Sequence, residues 1–110
     1  MRVMMKCIMP TETANAAVRQ GRLPSIIQSL LDDLKPEAAY FFEEQGQRTG
    51  LLFLEIQENA DIPRIAEPWF LALGAKIEIH LVMVPKDLAK AGPAFEQAVK
   101  KYGSLALGQR

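Results

Sequence analysis

Arg2 to Met9 alternates in the manner of a strand, with Val3, Met5, Cys7 and Met9 on one face and Arg2, Met4, Lys6 and Ile8 on the other. Pro10 stops it. In the next stretch, TETANAAVRQGRLPSIIQSLLDDLKP, Thr11 or Thr13 is placed to cap a helical turn, and a break is expected near Gly21. Pro24 suits the first turn of a better helix, whose Ile26, Ile27, Leu30, Leu31 and Leu34 form one apolar stripe up to Pro36. AAYFFEEQGQRTGLLFLEIQ reads as a hairpin turning between about Gln45 and Thr49. Its second arm sets Leu52, Leu54 and Ile56 against Leu51, Phe53 and Glu55. ENADIPRIAEPWFLALG gives a second helical segment with Asp61 as N-cap, a kink or fresh start at Pro68, a stop at Gly74, and Ile62, Ile65, Trp69 and Leu73 on one face. AKIEIHLVMVP is the most strand-like run, with Ile77, Ile79, Leu81 and Met83 opposite Lys76, Glu78, His80, Val82 and Val84. Asp87 is then placed to cap a third helical segment, which breaks at Gly92–Pro93 and resumes to Gly103.

The order is therefore β α β β α β plus a C-terminal helix, an α+β chain. It predicts one domain over residues 1–103, a tail over 104–110, and a four-stranded antiparallel sheet with its helices on one face. The first strand is expected between the last strand and the second arm of the hairpin. Each strand offers one uniformly apolar set to the helices, which leaves Met4, Ile8, Leu51, Phe53, Val82 and Val84 on a face with no helical cover. A patch of that size invites association, and a second copy laid face to face is the simplest cover.

Composition narrows the partners. Thirteen basic and thirteen acidic side chains cancel, and the cations are scattered, so the basic surface expected of a nucleic-acid binder is missing. No run of eighteen apolar residues exists, which argues against a membrane span. MRVMMKCIMP is interrupted by Lys6 and lacks a small-residue cleavage site, unlike a signal peptide. A lone Cys7 rules out an intrachain disulfide and suits a reducing, cytoplasmic setting.

The layout of residues 2 to about 103 resembles the dimeric α/β-barrel group of ferredoxin-like proteins. The local texture that matches is the short first strand closed by MPT, the arm RTGLLFLEI, the passage AEPWFLALGAKIEIHLVMVP, and a proline directly after the last strand. In length and order the chain is most similar to the muconolactone isomerase branch, with the small cofactor-independent monooxygenases as relatives in layout. The resemblance implies a homodimer with a pocket between the bare sheet face and nearby helix or tail segments, and no cofactor. It carries no catalytic signature onto this chain, and Trp69 does not sit in the monooxygenase motif.

With the first strand in the middle, Lys6 is expected near Glu78 and His80 on one side and Glu55 on the other, walled by Met4, Ile8, Phe53, Val82 and Val84. His80 is the residue to move a proton, with Glu78 or Glu55 as the carboxylate that holds its tautomer. Lys6 and Glu55, with Phe53 and Trp69, are the residues to hold a small, partly apolar or anionic molecule; Trp69 is otherwise core, and serves only as a lid if it leaves it. The competing reading is structural: opposite charges on adjacent strands contribute a few tenths to about 1 kcal/mol and fix register. In that reading the chain is a non-catalytic dimerisation or ligand-sensing module. One histidine and one thiol give no recognisable metal-ligand spacing.

Overall fold

The structure, a computed structural model, describes residues 1–105. Among them the chain forms β1 (Arg2–Ile8), α1 (Thr11–Arg19), α2 (Leu23–Leu34), β2 (Ala38–Glu44), β3 (Gln47–Glu55), α3 (Asp61–Leu73), β4 (Lys76–Leu81), α4 (Pro85–Lys90) and α5 (Gly92–Tyr102). The four strands make one antiparallel sheet in the order β2-β3-β1-β4. The tail expected over 104–110 lies, beyond Leu105, outside the described residues.

The period of two in β1 is converted directly into burial. Val3, Met5, Cys7 and Met9 are buried, as are Leu52, Leu54 and Ile56 beside them on β3. Against this face α2 presents Leu30 and Leu34, and α3 presents Ile65, Trp69 and Leu73. The opposite set on β1, Arg2, Met4, Lys6 and Ile8, is half-buried. That is the open face.

The hairpin turn is tighter than the sequence predicts. Gln45 and Gly46 alone connect the strands, both with positive φ, as in the two-residue turns whose twist matches that of the strands. This register pairs Tyr40 with Leu51 and Phe42 with Thr49 on the open face, and sends Phe41 to the helix side opposite Gly50. A Cβ at Gly50 would stand 3.0 Å from the Phe41 ring, so glycine lets that ring lie down on the strand.

The helices differ from expectation at their starts and at one proline. The segment after β1 divides into α1 and α2 around Gly21, whose φ is +68°. Pro68 neither kinks α3 into two nor restarts it: the helix runs unbroken from Asp61 to Leu73. The carbonyl that loses its donor belongs to Arg64, on the exposed side, where water can serve it. Asp61 is not the N-cap but the first residue of α3, and its carboxylate accepts the backbone N–H groups of Gln57 (2.8 Å) and Glu58 (3.3 Å) in the preceding turn. Those bonds, with Arg64 nearby, hold its pKa below the usual carboxylate value. Asp87 likewise lies inside α4, where it accepts the N–H of Val84 at 3.0 Å.

β4 is shorter than predicted. It stops at Leu81, leaving Leu81 71% exposed and Met83 also exposed, although both continue the apolar alternation. The helical layer ends before reaching them, so periodicity alone does not bury them. Val82 and Val84 fall in the connection to α4.

Two substitutions test this packing. Leu52→Ala, at the centre of the buried face, is expected to cost about 2–5 kcal/mol in urea unfolding through the cavity it leaves. Gly74→Ala, where φ is +60° at the end of α3, is expected to cost about 1–2 kcal/mol through left-handed backbone strain.

Candidate functional site

The open face draws its polar groups from three strands. Lys6 stands opposite Glu78, and Met4 opposite His80, in the β1–β4 register. Glu78 and His80 are two residues apart on one strand and therefore share a face; His80 Nε2 lies 3.9 Å from Glu78 Oε1. That is an electrostatic contact, longer than a hydrogen bond. Met4, Leu51 and Phe53 supply the adjoining apolar surface, each half-buried.

Lys6 reaches away from this pair. Its Nζ donates to Glu44 Oε2 at 2.8 Å, across β3 to the end of β2. The hydrogen bond to Glu44 raises the lysine pKa, and the charges of Glu44 and Glu78 add to it. Glu44 was not among the residues expected here. Its alternation within FFEE gives the only hint, and the tight turn decides that it faces Lys6.

Glu55 is separated from Lys6. Register pairs it with Arg2, while Lys6 pairs with Leu51, four residues along β3, which is roughly 13 Å at strand spacing. Its carboxylate instead meets the amino group of Met1 at 2.6 Å. A hollow of about 500 Å³ opens at that end of the sheet, lined by Arg2, Glu55, Leu81, Val82, Val84 and Asp87 among others. Arg2 Nε donates to Glu37 at 2.9 Å, which raises the arginine pKa further.

Trp69 is withdrawn from the open face altogether. It is fully buried in the helix-side core, and its Nε1 has no hydrogen-bond partner among the described residues. The four-residue spacing from Ile65 and on to Leu73 explains this, because these positions stack on the helix face that covers the sheet; Ile62, expected on the same face, is left exposed at the first turn. The open face thus brings together His80, Glu78, Lys6, Glu44 and Phe53 as a candidate site, while Glu55 lies in a second region and Trp69 in the core.

Among the described residues, no group of three histidine, cysteine or carboxylate side chains is arranged to hold a metal ion, and no helix is long and apolar enough to cross a membrane. What the open face can do is offer an apolar floor bordered by an imidazole, two carboxylates and an ammonium. Compared with known protein families, curated proteins and solved structures, the chain matches none of them.

Cys7 lies directly behind this face, and burial pushes its thiol pKa up to about 12 from an ordinary 9.0. The folded chain holds the thiol proton more tightly than the unfolded chain. The resulting stability is complete below pH 9 and is lost as pH rises toward 12. Cys7→Ala is expected to flatten the fall in urea midpoint above pH 9. A thiol reagent at pH 7 should leave Cys7 unmodified until denaturant is added.

Proposed function

We propose that the chain works as a homodimer in which the open sheet face meets a second copy and a small, partly apolar, anionic molecule binds between them. The fold this reading implies is a ferredoxin-like subunit in a face-to-face dimeric α/β barrel. One observation carries it: a sheet face turned away from the α2–α3 core, on which Met4, Ile8, Leu51 and Phe53 are half-buried and Tyr40 is exposed. Apolar surface of that extent on one side of a single-layered sheet favours association.

In this reading the apolar residues hold the body of the molecule and Lys6 draws its charge. His80, exposed and 3.9 Å from Glu78, is the group able to take a proton and return it. Proton transfer without a cofactor, as in an isomerase, is the chemistry this pair suits.

A second reading rests on the 2.8 Å Lys6–Glu44 bond. A lysine already neutralised by its own chain can act as an interface fixture alone, in a dimerisation module with no active site.

Sedimentation and an apolar anionic dye, anilinonaphthalene sulfonate, separate these readings. The expected result is a dimer at micromolar concentration that enhances dye fluorescence, and a Lys6→Glu variant that remains dimeric but binds dye about fivefold more weakly, a loss of about 1 kcal/mol. A dimer that ignores the dye leaves the interface reading. A stable monomer removes both. Phe53→Asp, in the middle of the face, should dissociate the dimer.

A further inference from the structure

α4 and α5 bury none of their residues, and among the described residues α4 is the only substantial neighbour of α5. Yet α5 is amphipathic. Phe95, Val99 and Tyr102 recur at helical spacing and are 58%, 69% and 56% exposed. Eleven residues are too few for a helix to persist in water on its own hydrogen bonds, so a stable α5 needs a surface to lie on.

Size points the same way. The radius of gyration is 19.0 Å, against about 13 Å for a compact chain of this length. The accessible surface is 7792 Å², while a compact monomer of 12.3 kDa exposes about 6,100 Å². The five residues beyond Leu105, even counted as fully extended chain, account for about 800 Å² of the difference. About 900 Å² remain, close to the ~800 Å² that one partner contributes to a standard interface.

A complementary surface exists on the same chain, at β2. Tyr40, Phe41 and Phe42 are exposed there, and an apolar hollow lined by Leu23, Ile27, Phe41 and Phe42 opens beside them. Charge also matches. The arm carries Lys86, Lys90, Lys100 and Lys101 against Asp87 and Glu96, with Asp87 engaged by the Val84 N–H. β2 itself carries Glu43 and Glu44 and no cation, and its approach carries Glu37 two residues after Lys35. Arg2 and Lys6 pair with Glu37 and Glu44, and Glu43 has no cationic partner among the described residues.

β2 and β4 are opposite edges of the sheet, so an arm leaving β4 starts at the far side of its own molecule from β2. A two-fold axis parallel to the strands, between facing sheets, brings β4 of one copy over β2 of the other. The arm then begins beside the edge it has to cover, and α5 spans about 16 Å, enough to cross several strands.

We infer that in the dimer the α4–α5 arm of each copy lies along the β2 edge of the other, with Phe95, Val99 and Tyr102 on its aromatic residues and Lys100–Lys101 near Glu43. This rests on the dimer reading above. Each open face is then closed by residues of both chains, and neither copy has a complete site alone.

The unmodified chain suffices for the main test. Equal parts of ordinary and nitrogen-15-labelled protein are mixed, allowed to exchange, and treated with a carbodiimide that joins lysine to carboxylate without a spacer. Mixed-isotope peptides joining Lys100 or Lys101 to Glu43 are the expected result. Phe95→Asp with Val99→Asp, at exposed positions with no burial to lose, should raise the dimer dissociation constant about tenfold or more, with any loss of circular dichroism confined to the helical signal of α5's eleven residues. If a dimer sediments but the links are absent or confined to one isotope, and the double variant dimerises as before, the arm inference falls and the dimer reading stands. A monomer at every concentration ends both.

Discussion

Burial of one face of β1, and only one, is the constraint on which the rest depends. Met5 and Cys7 lose all their exposure because β3 and β4 flank them and α2 and α3 roof them. With a side-chain period of two, this commits Met4, Lys6 and Ile8 to the opposite side. A slip of one residue in either flanking register would bury Lys6 and expose Met5, which fixes both pairings at once. The polar residues of the open face are therefore located by a hydrophobic decision made behind them.

The central strand also sets the electrostatics. Lys6 stands at the middle of the sheet with Glu78 across one pairing and Glu44 two strands away across the other. It is the Glu44 bond that dominates, because a direct contact at 2.8 Å outweighs a longer-range attraction through solvent. His80 and Glu78 stay less tied, which leaves them the groups on this face freest to meet something from outside.

Edges are handled unequally. β2 shows aromatic side chains and acidic charge, while β4 ends early and delivers the chain into two helices that bury none of their described residues. The proposed dimer and the arm inferred to complete it both arise from this imbalance: the core takes one apolar stripe from each of three helices and leaves the apolar residues of β4's end and α5 outside.

By itself the sequence determined the elements and their faces. Alternation in β1 and β3, the stripe of α2, most of the stripe of α3, and glycine and proline at the breaks are local properties expressed where the pattern places them. Ile62, exposed at the first turn of α3, and Pro68 are the exceptions, since whether a helix survives a proline depends on what surrounds the carbonyl it orphans. The candidate site was legible only in part, with His80 and Glu78 sharing a face because they share a strand. Which partner Lys6 takes, how far Glu55 lies from it, and where β4 ends were decided by register, turn length and the reach of the helical layer. These are distances between segments far apart in the chain, and no local pattern of residue types encodes them.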